Sequence, residues 1–107
     1  MDKPAMYRVD FHATPWVAAA AGARYKVQKQ GGRQIRLVEF SKDFVESDWC
    51  RKGHIGYVLE GQMEVDFNGT AVTFMSGDGL LIPAGEKCKH KLTVLTSVVK
   101  LIMVEDI

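Results

Sequence analysis

The chain of 107 residues is short of cysteine, of long apolar runs and of net charge. Cysteine occurs twice, at Cys50 and Cys88. A single disulfide is not expected in a cytosolic protein of this size, and spacing alone leaves open buried free thiols, metal ligands or a redox pair. No stretch approaches the roughly 18 apolar residues that a membrane span needs. The start, Met1-Asp2-Lys3-Pro4, has no apolar core behind its charges and does not read as a signal peptide. A net charge of +1 gives no electrostatic case for nucleic acid, and basic residues are not interleaved with aromatics for base stacking. There is no Walker-type phosphate loop and no Gly-x-Ser-x-Gly elbow. Repeats, linkers and low-complexity tracts are also missing. With 47% hydrophobic and 25% charged residues, the chain is not disordered. Its length predicts one domain, residues 1–107, in a cytoplasmic globular protein.

Turn signals come at short intervals: Gly31-Gly32, Glu60-Gly61, Asn68-Gly69, Ser76-Gly77-Asp78-Gly79 and Pro83-Ala84-Gly85. The segments between them have strand length and are rich in Val, Ile, Thr, Phe and Tyr. This is the pattern of an all-β sandwich or barrel. The clearest hairpin runs from Met63 to Phe74. Met63, Val65 and Phe67 alternate with Glu64 and Asp66, and Asn68-Gly69 supplies a type I′ turn. Thr70, Val72 and Phe74 then oppose Phe67, Val65 and Met63, so the apolar residues share one face. Further strands are predicted at Tyr7 to Val9, Ala23 to Gln30, Gln34 to Phe40, Ile55 to Leu59, Gly79 to Ile82, His90 to Leu95 and Val98 to Val104. One short helix is predicted, capped by Thr14, with Pro15 at its first position, Ala18 to Ala21 as formers and Gly22 at its end. It would turn Trp16 and Val17 inward. Arg24, Lys26, Arg33 and Arg36 read as a solvated strand face rather than an anion site. His12 reads as surface, and Glu60 as turn chemistry.

Two segments resemble the paired motifs of the cupin superfamily. Gly56-Tyr57-Val58-Leu59-Glu60-Gly61 looks like the end of its first motif, about residues 48–61. Gly77-Asp78-Gly79-Leu80-Leu81-Ile82-Pro83-Ala84-Gly85 looks like its second, about residues 77–90. The Asn68-Gly69 hairpin lies in the interval between them, as in that family. The resemblance implies an antiparallel β-barrel of jelly-roll type, whose interior often holds one divalent metal. By the family's spacing, its two first-motif histidines fall on Asp48 and Cys50. Its glutamate falls on His54, and its second-motif histidine on Cys88. None of the four keeps the family's usual residue, yet all four can ligate metal. Asp48 and Cys50 are two apart, so a strand would point both one way, as it would Cys88 and His90. Lys87, Lys89, Lys91 and Trp49 would face out. His90 is therefore an additional ligand or a pocket residue. Gly53 and Gly56 flank His54 and would leave room near it.

Two thiolates and one or two histidines suit Zn²⁺ first and Fe²⁺ second. If Asp48 does not ligate, Cys50, His54 and Cys88 leave a position open for water or substrate. If Asp48 or His90 completes the set, a structural role gains weight. The expectation is a cupin that binds zinc or iron and acts on, or senses, a small molecule. Whether it is an enzyme is left open. The alternatives are a metal-free cupin acting as a binding module or sensor, and a thiol switch that joins Cys50 to Cys88. Val98 to Ile102 has apolar residues at successive positions (Val98-Val99 and Leu101-Ile102), which calls for cover on both faces and predicts a homodimer.

Overall fold

The computed structural model describes residues 7–107; the opening Met1-Asp2-Lys3-Pro4 lies outside the described residues. Nine strands follow in order: β1 (Val17–Ala20), β2 (Ala23–Gln30), β3 (Arg33–Ser41), β4 (His54–Glu60), β5 (Gln62–Asp66), β6 (Ala71–Met75), β7 (Gly79–Ile82), β8 (Lys91–Val94) and β9 (Val98–Asp106). They form a six-stranded sheet, β1-β2-β3-β9-β4-β7, and a three-stranded sheet, β6-β5-β8. Every strand pair is antiparallel.

Alternation along the strands explains the layering. Val99, Leu101 and Met103 of β9 are buried, with Val38 of β3, Val58 of β4, and Leu80 and Ile82 of β7. They meet Met63 and Val65 of β5 and Val94 of β8 from the smaller sheet. The two sheets thus enclose one core, the arrangement of a jelly-roll barrel. The hairpin register is as its alternation requires, with Met63 opposite Phe74 and Val65 opposite Val72. Asn68 and Gly69 both have positive φ. Val72 nevertheless stays 41% exposed on β6, an edge strand of the smaller sheet among the described residues.

Two predicted elements take another form. The helix expected from Thr14 to Gly22 is instead strand β1, with Val17 paired to Tyr25 and Ala18 to Arg24. Pairing with a sheet edge outweighs the helix propensity of a few alanines, which is a weak bias over so short a stretch. Trp16 does not turn into the core. Its ring carries the Arg24 guanidinium at 4.1 Å and the Lys26 ammonium at 4.8 Å. The strand expected at Tyr7 to Val9 does not form. Asp10 diverts the chain there into a turn: its Oδ1 accepts the His12 N–H at 3.1 Å, and its carbonyl accepts the Thr14 hydroxyl at 2.9 Å.

Gly56 serves the sheet rather than a ligand. A Cβ there would lie 2.4 Å from the Ile102 carbonyl oxygen, so glycine lets β4 and β9 approach. Gly53 likewise faces the backbone of Ile82 and Ala84.

Candidate metal centre

The site lies where the loop between β3 and β4 meets the start of β8. Cys50 and His90 form an isolated antiparallel bridge. The Cys50 N–H donates to the His90 carbonyl at 2.8 Å, and the His90 N–H to the Cys50 carbonyl at 2.9 Å. His54 opens β4 and points to the same interior side as Val58. Cys50, His54 and His90 each offer a ligand atom, and these atoms all lie within 4.8 Å of one another. The Cys50 Sγ is 3.5 Å from the His54 Nε2. The two imidazoles meet edge to face with centroids 5.1 Å apart.

The environment orients His90 and disfavours the charged form of His54. His90 is buried, and its Nδ1 lies 2.9 Å from the Cys88 carbonyl oxygen. A carbonyl only accepts, so Nδ1 donates to it and Nε2 is the ring nitrogen turned to the site. Burial holds the His54 pKa below the usual histidine range, and the nearby His90 adds to this. His54 Nδ1 is buried with no hydrogen-bond partner among the described residues. A thiol and two imidazoles form an N/S donor set suited to zinc or iron. Zn–S and Zn–N bonds of about 2.3 and 2.0–2.1 Å at a tetrahedral angle place S and N about 3.5 Å apart. The Cys50–His54 separation of 3.5 Å is of that size and is equally that of an S···N hydrogen bond.

Of the five residues singled out in the sequence, the structure gathers Cys50, His54 and His90. Asp48 is exposed and stands outside this group. Cys88 also stands outside it, on the 3-10 turn Glu86–Cys88. The strand alternation that would have aligned Cys88 with His90 does not begin until Lys91. Cys88 instead touches the site through its backbone carbonyl. Both cysteines are free thiols.

The three donors border a cavity of about 220 Å³. Its apolar wall includes Met63, Val65, Leu80, Leu101 and Met103. Three charged residues also line it: Arg36, expected from the sequence on a solvated strand face, and Glu46 and Lys52, which the sequence did not mark for the site. Arg36 shares the inward side of β3 with Val38 and Phe40, a signal that was legible in the alternation. It pairs with Glu105 through Nε at 3.1 Å and through Nη2. Arg24 and Arg33 do face outward, paired with Glu39 and Asp106. Glu46 sits in a loop, where no periodicity could reveal it. Its Oε1 accepts the Leu92 N–H at 2.8 Å. Burial pushes its carboxyl pKa above the usual range, against the lowering effects of that bond and of His90 and Lys91.

Residues 22–101 match the family described as the EutQ-like cupin domain. No curated protein matches the chain. Among solved structures, it is similar to a cupin-2 domain containing protein from Shewanella frigidimarina, at 23% identity over 78% of this chain and 79% of that one, with a TM-score of 0.63. It is also similar to KdgF from Halomonas sp., at 22% identity over 86% and 87%, with a TM-score of 0.67. The iron(II) form of HppE is similar at 16% identity over 87% and 56%, with a TM-score of 0.67. At these identities the structural likeness bears on the fold. The family match spans most of the chain, its strands form the two packed sheets of that fold, and the protein is therefore a member of the EutQ-like cupin domain family.

Proposed function

We propose that this cupin binds one divalent metal ion through Cys50, His54 and His90, zinc in preference to iron, and acts on or senses a small molecule in the adjoining cavity. The observation that carries this reading is the convergence of three N/S donors within 4.8 Å at a cavity wall. The bound ion would act as a Lewis acid on a ligand oxygen or on water. The chain's own residues supply the rest. The Cys88 carbonyl orients His90, burial keeps His54 neutral, and apolar walls exclude water. Glu46 is the cavity carboxyl suited to take or give a proton, because burial favours its protonated form. An iron(II) form of a structural neighbour keeps iron as the second choice.

A metal-free binding module is the second reading. The contact favouring it is the 3.5 Å approach of Cys50 to His54, which also suits a thiol–imidazole pair. A thiol switch joining Cys50 and Cys88 would be recognised by loss of both free thiols under mild oxidant within one chain. We place the chain as a cytoplasmic homodimer, formed through the outer face of its larger sheet.

Metal content by mass spectrometry on untagged protein, beside Cys50→Ser and His90→Ala, tests the first reading. About one ion per chain, lost in both variants, is the expected result. No metal in any sample, even after reductive incubation with Zn²⁺ or Fe²⁺, would instead support the metal-free module.

A further inference from the structure

Arg36 brings a charge into the cavity that metal binding does not use. A guanidinium offers five N–H donors in a planar fork. Nε and Nη2 of Arg36 both go to the same oxygen, Glu105 Oε1, so most of the fork has no acceptor among the described residues. The Tyr25 ring lies 5.3 Å from the guanidinium carbon and supports the group from one side. Lys52 lines the same cavity, is exposed, and has no carboxylate partner among the described residues.

The nearby acids are differently placed: Glu46 lines the cavity, and Glu105 pairs with Arg36 without lining it. Glu105 takes Arg36 on one oxygen and Gln34 on the other, at 3.3 Å. Glu46 takes the Leu92 N–H. The acids are occupied by protein donors, while the cations keep donors to offer. Arg36 is also close to the metal group. It and Gly56 flank the same β9 residue, Met103, and His54 is the next inward residue of β4. The rest of the wall is apolar, with Met63 and Met103 among it. Its volume equals about seven water molecules at about 30 Å³ each.

We infer that this cavity takes a small monocarboxylate of about seven non-hydrogen atoms, its carboxylate on the Arg36 fork with Lys52 at the edge and its apolar body against Met63 and Met103. The inference rests on reading the cavity as the ligand site, and it does not require the metal.

The test uses the full chain labelled with ¹³C at the methionine methyl groups, followed by NMR without metal and with one equivalent of Zn²⁺. The probes are isovalerate and its neutral isostere isovaleramide. Isovalerate should shift the Met63 and Met103 methyls saturably and leave the exposed Met75 methyl in place. Isovaleramide should bind at least about tenfold more weakly, because a charge-assisted pair is lost. Arg36→Gln should lose a similar factor, and Arg36→Lys should fall between. Equal binding of the two probes, shifts at Met75 instead, or no shift with either would overturn the inference. The native-protein comparison decides even if Arg36→Gln does not fold. The Zn²⁺ arm reads the metal proposal separately, through the ring signals of His54 and His90. Isovalerate binding without any Zn²⁺ response would sink the metal reading alone. A Zn²⁺ response without isovalerate binding would sink this inference alone.

Discussion

His54 is buried at Nδ1 without a partner among the described residues, and burial holds its pKa below the ordinary value near 6.5. The unfolded chain therefore takes up a proton at a pH where the folded chain resists it. The contribution of His54 to stability is complete above about pH 6.5 and is lost as pH falls from there through the lower folded pKa. Urea midpoints of metal-free protein should fall between pH 7 and pH 5, and His54→Gln should flatten that decline. An equal decline in the variant would refute the assignment. Glu46 has the opposite sign, since burial raises its pKa. Its contribution is complete below about pH 4.5 and is lost as pH rises through the folded pKa. Glu46→Gln keeps an acceptor for the Leu92 N–H without burying a charge, so its urea midpoint at pH 8 should exceed that of the parent. Metal binding is tested at the same scale. Cys50→Ser and His90→Ala should weaken Zn²⁺ affinity at least about tenfold, measured by chelator competition. Cys88→Ser should leave it within about twofold, because the backbone carbonyl that holds His90 survives. A large loss in Cys88→Ser would return that thiol to the ligand set. Motif spacing marked Cys50 and His54, and the two-residue step from Cys88 marked His90. Neither marked Glu46, whose importance comes from a loop conformation.

At the scale of the element, β4 carries His54 of the site and a close approach to β9. Gly56 faces the Ile102 carbonyl of β9, and a methyl there would sit 2.4 Å from that oxygen. Gly56→Ala should lower stability by about 1–3 kcal/mol through overpacking, read from urea unfolding. Unchanged stability would mean that the strands part freely at this point. The loop at residues 42–53 has no repeat pattern, yet it presents Cys50. Two contacts fix it to the smaller sheet: the Cys50–His90 backbone pair and the Glu46–Leu92 hydrogen bond. Such contacts join residues far apart in the chain, which explains why spacing aligned Cys88 with the site and the fold brought His90 there. The hairpin at β5 and β6 was legible because its register follows from local alternation and its turn residues. Strand β1 was not legible, because its pairing partner, rather than its own alanines, decides its conformation.

For the whole molecule, the outer face of the larger sheet shows what the core does not cover. Leu81, Ile55, Val104 and Ile35 line up across β7, β4, β9 and β3. Tyr57, Ile102 and Leu37 form the neighbouring row. Leu81 is 82% exposed, Ile55 58% and Tyr57 48%. An apolar surface of this kind suits an interaction face, and it is the face through which the proposed homodimer would form. If the proposed homodimer forms through this face, Leu81→Lys with Ile55→Lys should convert it to a monomer in sedimentation velocity while leaving the monomer's fold intact. A parent protein that sediments as a monomer would reject the assignment. The burial of β9 predicted from Val98 to Ile102 has two parts. Val99, Leu101 and Met103 fill the core, and Ile102 with Val104 contributes to the outer rows.

The amino-acid sequence by itself determined the all-β class, most strand positions, the hairpin register and the cupin resemblance. These follow from local alternation, turn chemistry and short motifs, which act over a few residues. Only the tertiary structure decided which polar groups share the cavity. Cys50 meets His90 across a backbone bridge, Cys88 offers a carbonyl to His90, and Arg36 and Glu46 line the same cavity from a strand and a loop. Those meetings depend on how loops close over packed sheets, and loop closure is set by long-range contacts that sequence spacing does not encode.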